Sequence, residues 1–358
     1  MTTTTVKAPA RVCLFGDHQD YLGLPVIACA IDRYITFTAT PNNSQQLNFN
    51  FADLGQQRSI GLSEDIGSFE AQDYLKSCLK VLAARGIKLT EGHNIEVSGD
   101  IPINAGLSSS SAFVVGWLTL VLKLTDNLKR FSSAEIGHMA YQAEVEEHGQ
   151  AGGKMDQYTS AIGGAIYINT RKDMSFEPVQ LPFDGLIVAS SGVPKTTLEG
   201  LRNLNERAHE AIEQVKKQVP DFDQYEHHSP SKYLNYVDEE LQNVFVAAYG
   251  NYQTTRFAMS CLTDNPEEVR FLGVLMNRHH SILQSLLKIT TPEIDALINA
   301  AIQAGALGAK IVGSGGGGCI ACIPGEDNKE EIIHALKKAG AVEVFEARIS
   351  RGAKDLAL

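Results

Sequence analysis

The chain has 358 residues, 44% of them hydrophobic and 20% charged, with a formal net charge of -11. That length points to two domains rather than one core, and the composition to a soluble globular protein. The acidic balance argues against nucleic acid or an anionic membrane as the main partner, although local N–H groups, Lys and Arg can still hold an anionic ligand.

The opening MTTTTVK has no apolar core and reads as no secretory signal, and no run approaches membrane-spanning length, so a cytoplasmic location is expected. Residues 12–15 read as a strand, and GDHQDYLGLP after them as a polar loop punctuated by Gly and Pro. PVIACAI and RYITFTATP run apolar or alternate like sheet strands. Tyr74, Leu75, Cys78, Leu79 and Leu82 fall at helical spacing. NIEVSGDIP then reads as a strand that delivers the chain to the stretch PINAGLSSSSA, residues 102–112.

In that stretch Gly106 frees the backbone to turn, Leu107 follows, and four hydroxyls come in succession, Ser108, Ser109, Ser110 and Ser111. The next segment, AFVVGWLTLVLKL, is apolar on nearly every side, as a fully buried helix is. A helix starting at the serines aims unpaired N–H groups and its positive dipole end at the loop, which suits a phosphate. A serine hydroxyl can also ligate Mg²⁺ beside a phosphate. The alternative is a Ser-rich turn that caps a core helix, since Ser is a favoured N-cap, but four serines exceed what one cap needs.

Ser132 and Glu135 have capping-box spacing, and Ile136, Met139, Ala140 and Ala143 form the stripe of the next helix. Glu144 sits at the edge of that stripe. A carboxylate there is paired, bound to a cation, or part of a solvated helix end with Glu146 and Glu147, and spacing alone does not choose. GQAGGKMDQYTSAIGGAIYINT supplies a glycine-rich turn, Asp156, a short helix, a Gly pair and a strand, with Asp156 either an N-cap or a functional carboxylate.

LIVASSGVP reads as a strand, followed by a long polar helix through Lys217 and a loop over residues 220–230 that holds His227 and His228. Neither that pair nor His279 and His280 has a further ligand spaced to complete a metal site. Thr291, Pro292 and Glu293 open a helix as N-cap, first residue and first-turn acid. GAKIVGSGGGGCIACIP then reads as strand, glycine loop, strand. Gly313, Gly315 and Gly318 satisfy GxGxxG, but a β-like run follows where a dinucleotide site needs a helix, and no GxxxxGK[ST] occurs. Four consecutive glycines still mark a backbone that a ligand or another chain segment approaches closely. The six cysteines are scattered through apolar segments and read as reduced core thiols. Cys319 and Cys322 form a lone CxxC, for which zinc or redox use is the alternative.

Three motifs in this order, APARVCLFGDHQDYLGLPVIA, PINAGLSSSSA and GAKIVGSGGGGC, resemble those of the GHMP kinases, the family of galactokinase, homoserine kinase, mevalonate kinase and phosphomevalonate kinase. With AEVEEHGQAGGKMDQ they span residues 7–322. The resemblance implies an α+β fold of two domains, residues 1–180 and 181–358, with the active site in the cleft between them. It also implies ATP and Mg²⁺ as cofactors and a small-molecule acceptor. Arg11 and the run Gly16, Asp17, His18, Asp20, Tyr21 are most similar to the galactokinase signature. KMDQ at 154–157 resembles the segment with that enzyme's catalytic aspartate.

By that resemblance Asp156 and Arg11 are catalytic, and Asp17, His18, Asp20 and Gly153 bind a sugar. Gly106, Leu107 and the four serines, with Gly315 and Gly316, hold the nucleotide, and Ser110 and Glu144 hold Mg²⁺. The implied reaction is phosphorylation of a monosaccharide at its anomeric hydroxyl. Departures exist: Asp17 stands where galactokinases have Glu, Ala10 where they have Gly, and GVPKTT and GSGGGGC are closer to mevalonate kinase. The shorter Asp17 admits a substituted sugar or a sugar acid. The other readings are mevalonate-type phosphorylation of a non-sugar alcohol, a non-catalytic sugar sensor of the same fold, and an ATP-independent sugar-binding module. The oligomeric state stays open.

Overall fold

The computed structural model describes residues 2–195, 198–226 and 229–357. The chain opens with two long antiparallel strands, β1 (Thr4–Phe15) and β2 (Val26–Pro41), joined by the polar loop and paired from Thr4↔Ala39 to Phe15↔Ile27. The two strands expected at PVIACAI and RYITFTATP are thus one. β3 (Gln46–Phe51), β4 (Gln56–Gly61), helix α1 (Tyr74–Ala83) and β5 (His93–Gly99) follow. Next come α2 (Ser109–Leu124), α3 (Ser133–Tyr141), α4 (Met155–Ile162), β6 (Ala165–Asn169) and β7 (Ser175–Val179). These strands form one seven-stranded sheet in which only β3 and β5 run parallel.

β8 (Gly185–Ser190) starts a second sheet of four strands, completed by β9 (Gly308–Ile311), β10 (Cys319–Ile323) and β11 (Glu343–Arg348), in the order β11-β8-β10-β9 and antiparallel throughout. α7 (Val269–Ser285), α8 (Pro292–Gln303) and α9 (Lys329–Lys338) pack on it, α5 (Leu198–Gln218) packs on α6 (Glu239–Asp264) and α6 on α7, and the short α10 (Ala353–Ala357) ends the described chain. The fold is α+β with two sheets. Residue 180 falls between the sheets but does not separate the cores. Ile349 bridges to Ile31 and Arg351 to Gly163, and α10 lies against β1 and α2.

α2 is apolar all round because it is enclosed by β1 and β2 on one side and by α1, α3 and α4 on others. Trp117 is fully buried among Phe37, Phe49 and Leu75, and its indole N–H donates to the Leu75 carbonyl at 3.2 Å. The capping box of Ser132 and Glu135 forms at α3, and the Thr291 hydroxyl accepts from Ile294 N–H at α8. Both were legible because they are local. All six cysteines are free and buried. Cys319 and Cys322 fall on opposite faces of β10, one in the core that spans the two sheets and the other under α8 and α9, so the CxxC is not a paired site. The described residues contain no cluster of three or more His, Cys, Asp or Glu able to hold a metal, and no helix long and apolar enough to cross a membrane. His227 and His228 lie outside the described residues.

Candidate active site

Arg11 sits in the buried half of β1 with 4% of its surface exposed. Its Nε and Nη2 donate to the two oxygens of Asp156 at 2.7 and 2.8 Å, a bidentate pair, and Nη1 donates to the Gly106 carbonyl at 2.6 Å. The Ser108 hydroxyl adds a short bond to Asp156 Oδ2. Burial opposes ionisation of Asp156, but Arg11, then Ser108 and Lys195, outweigh it and hold the carboxyl below its ordinary value. Asp156 lies in the first turn of α4, where Lys154 occupies the N-cap position, so its carboxylate is spent on Arg11 and Ser108 rather than on capping.

Ser108 occupies the N-cap position of α2 in left-handed backbone (φ 61°), and no side chain caps that helix. The hydroxyl that would have capped is the one bonded to Asp156. The first-turn N–H groups of a buried sixteen-residue helix are therefore left facing the loop, the arrangement that receives anions. Gly106 (φ +82°) completes the turn, and a Cβ there would lie 2.5 Å from the Val312 carbonyl.

Glu144 lies in a π-helical turn, Gln142–Glu146, that continues α3. Such turns rotate a side chain out of the α-helical stripe and are frequent at functional sites. Glu144 is 5% exposed and accepts from Gln157 Nε2 at 2.7 Å, and the Ser110 and Ser111 hydroxyls lie close enough to favour its charged form. Burial pushes the Glu144 carboxyl above its ordinary pKa; Ser111, Gln157 and Ser110 counter this, and the nearby Asp156 adds to it. No Lys or Arg forms an ion pair with Glu144 among the described residues. A buried carboxylate held only by neutral donors, beside a second carboxylate and serine hydroxyls, is the donor set that fits a hard cation.

The loop after β1 is anchored by Leu22 and Leu24, buried among Ala208, Ile212, Tyr249 and Tyr252 of α5 and α6. This fixes the polar residues before them against the cleft. Asp20 accepts from Tyr21 N–H and Met155 N–H, both at 3.1 Å. Its carboxylate seats directly on Gly153, where any Cβ would come within about 2 Å of it. Burial, reinforced by Asp156, lifts the Asp20 carboxyl to about 6 against the two amides. His18 adopts left-handed backbone (φ 61°), with Nδ1 3.2 Å from the Tyr21 hydroxyl, the Ser314 backbone near its ring, and a buried Nε2 that forms no hydrogen bond of normal geometry among the described residues.

Asp17 differs from the sequence-based expectation. Both its oxygens are occupied inside the protein, Oδ2 by the Lys310 ammonium at 2.5 Å and Oδ1 by Gly313 N–H at 2.9 Å. Asp17 is 2% exposed and Lys310 fully buried. Burial opposes the charge on Asp17, but Lys310 prevails and holds the carboxyl at about 2. In place of an open acceptor for substrate, Asp17 is a tie between the loop after β1 and the glycine loop.

The glycine loop is approached mainly by other chain segments. Gly313 abuts Gly106, Gly318 abuts Ala105, and Cys319 N–H donates to the Ala105 carbonyl at 2.9 Å. Gly315 packs on Ile289, whose carbonyl accepts from Gly316 N–H at 2.6 Å, so these two expected nucleotide contacts lie away from the cleft wall. Gly313 and Ser314 line it instead. The resulting cleft has a volume of about 520 Å³ and brings together Arg11, Asp17, His18, Asp20, Gly106, Ser110, Glu144, Gly153 and Asp156. Leu107, Ser108 and Ser109 are not among the residues that line it. Lys195 and Gln157 also line the cleft and were missed in the sequence. Lys310 was missed as well, although a lysine inside the apolar run AKIV signals a buried partner.

Comparison with known proteins accords with this geometry. Residues 73–164 match the GHMP kinases N terminal domain, residues 269–342 the GHMP kinases C terminal family, and residues 2–41 the galactokinase galactose-binding signature. The chain is 30% identical over 355 residues to mevalonate kinase of Pyrococcus abyssi, covering 96% of this chain and 95% of that one. It is 28% identical over 371 residues to galactokinase of Exiguobacterium sibiricum, covering 98% and 93%. Among solved structures, Lactococcus lactis galactokinase complexed with galactose superposes with a TM-score of 0.87 at 22% identity, over 98% of this chain and 94% of that one. Methanococcus jannaschii mevalonate kinase gives 0.74 at 22% identity, over 98% and 99%. With a full-length relative at this identity and the N- and C-terminal families matched in order, the chain belongs to the GHMP kinases, a family of ATP-dependent phosphotransferases.

Proposed function

We propose that this kinase phosphorylates a monosaccharide at its anomeric hydroxyl, with galactose the first choice. The observation that carries the reading is Asp20, a carboxylate pinned by two backbone N–H groups and Gly153 in the same cleft as Asp156. Its remaining lone pairs accept from adjacent sugar hydroxyls, and His18 Nε2 and Tyr21 add polar groups beside it. A site built this way discriminates strongly, because an analogue lacking a hydroxyl leaves a buried group unpaired. The match of residues 2–41 to the galactose-binding signature supports the same choice.

Phosphoryl transfer is chiefly positioning and charge neutralisation. The uncapped N–H groups of α2 and the serine loop receive the nucleotide phosphates. Ser110 and Glu144 would hold Mg²⁺, which would neutralise charge on the phosphate oxygens. Asp156 stays ionised at neutral pH, so it is a weak Brønsted base and acts mainly by orienting the attacking hydroxyl. Arg11 keeps Asp156 ionised and offsets charge developing on the transferred group.

A second reading is favoured by Lys195, a cation on the cleft wall with no side-chain ion pair among the described residues. A substrate with a carboxylate, a sugar acid or mevalonate, would meet it. The test is ATP-dependent phosphorylation across a panel of neutral sugars, sugar acids and mevalonate, with Asp20→Ala alongside. Asp20→Ala should weaken sugar affinity and leave ATP affinity nearly unchanged. Phosphorylation of mevalonate with none of any sugar overturns the sugar reading and leaves the kinase in place.

A further inference from the structure

Gln157 follows Asp156 in α4, is 3% exposed and lines the same cleft. Its amide has two ends with different fates. A carboxylate oxygen can only accept, so the end 2.7 Å from Glu144 Oε2 is the NH₂ group. The carbonyl oxygen is then fixed on the other fork, where Oε1 is buried and has no partner among the described residues. Leaving such a buried oxygen unmet is costly. An acceptor placed beside a buried carboxylate and serine hydroxyls, with no lysine or arginine paired to that carboxylate, calls for a cation or a water that a cation orients.

The π-helical turn gives an independent reason. It brings Glu144 inward, onto α4 and the start of α2, where Ser110, Ser111 and Gln157 meet its carboxylate. Three separate elements thus meet at the Glu144 carboxylate, and beside it Gln157 Oε1 has no partner among the described residues.

We propose that Gln157 is part of the divalent-cation site: its Oε1 adds an oxygen to those of Ser110 and Glu144, directly or through one bound water, while its Nε2 sets the Glu144 carboxylate. The proposal rests on the reading of Ser110 and Glu144 as the Mg²⁺ site. Outer partners of this type typically change metal affinity by about 10–100-fold when removed.

The test is Mn²⁺ binding by electron paramagnetic resonance to the full chain with β,γ-imido-ATP, for wild type, Gln157→Leu and Gln157→Glu. Circular dichroism checks each fold, and Gln157→Met replaces the leucine variant if that one does not fold. Gln157→Leu should raise the Mn²⁺ Kd by about 10–100-fold, and Gln157→Glu, which keeps an oxygen at the fork but loses the N–H bond to Glu144, should fall between wild type and the leucine variant. Nucleotide affinity in EDTA should not move. Unchanged Mn²⁺ affinity in Gln157→Leu overturns the proposal, as does a Gln157→Glu as weak as the leucine variant, which would leave the N–H bond to Glu144 as the residue's whole role. Lost sugar affinity with unchanged Mn²⁺ binding also overturns it and moves Oε1 to the substrate. Failure of wild type to bind Mn²⁺ with nucleotide would instead bring down the cation-site reading on which the proposal stands.

Discussion

Removing the Lys310 ammonium while leaving Asp17 in place tests whether the buried tie holds the two motif loops together. Lys310→Met keeps the stem and deletes the charge, so the Asp17 carboxylate keeps Gly313 N–H but loses its cation, in a site 2% exposed. Breaking a buried pair in this way costs about 3–5 kcal/mol, whereas replacing both partners by apolar groups is often neutral or stabilising. The wild-type carboxyl gives an independent magnitude. Held at about 2 instead of the usual 3.8, Asp17 contributes about 2 kcal/mol at about 1.4 kcal/mol for each tenfold change in acidity. Because its folded value is depressed, that stabilisation is complete above 3.8 and is lost as pH falls toward 2. In Lys310→Met the sign reverses: the abandoned carboxyl takes a proton more readily when folded than when unfolded. The deficit against wild type should then be largest at pH 7 and narrow toward pH 5, by up to about 1.4 kcal/mol per pH unit. Urea unfolding of wild type, Lys310→Met and Asp17→Leu/Lys310→Met at pH 5, 6 and 7 measures this, with the double variant expected near wild type. A deficit that does not change between pH 7 and 5, or a single variant as stable as wild type, refutes the reasoning.

Asp156→Asn should retain the fold and lower kcat by about 10²-fold or more, since the attacking hydroxyl loses the carboxylate that orients it and Arg11 loses its counter-charge. Since Arg11 and Ser108 hold Asp156 ionised below its ordinary range, wild-type kcat should show no acid limb from this group between pH 5 and 8, and a limb in that window that vanishes in Asp156→Asn would contradict the assignment. Gly153→Ala puts a Cβ where the Asp20 carboxylate sits, so substrate KM should rise by about tenfold or more, a little over 1 kcal/mol, with ATP KM nearly unchanged. Steady-state kinetics with each substrate varied separately decides this, and equal changes in the two KM values would speak against it.

What the sequence made legible was what depends on neighbours along the chain. The serine run before an all-apolar segment, the capping box at Ser132 and the N-cap at Thr291 all follow from residues within one helical turn. The resemblance named Arg11 with Asp156 and Ser110 with Glu144, and the structure brings each pair together across long sequence separations. What stayed hidden depends on segments that meet only in the fold. The glycine run announced a close approach, but not that Ala105, Gly106 and Ile289 make it. Glu144 had three readings until a π-helical turn buried it against Gln157. Asp17 read as a substrate ligand because its partner, Lys310, lies 293 positions away.

The return of residues 349–357 to the first sheet has a temporal meaning. Gly163, which ends the helix carrying Asp156, is packed so tightly on Gly352 that a Cβ there would lie 1.9 Å from the Gly352 nitrogen. Gly164 N–H donates to the Ser350 carbonyl at 2.7 Å, and Ser350 N–H to the Ala30 carbonyl at 2.9 Å. A ribosome delivers Ala30 and Gly164 long before it delivers these partners. The half of the molecule that holds Arg11, the serine loop and Asp156 is therefore made first yet sealed late. Contacts of such separation form slowly, because the loop they close must be ordered before they reward it. Until residues 349–352 have been made, the pairings of Ala30 and Gly164 with Ser350 and the packing of Gly352 on the end of the Asp156 helix cannot form.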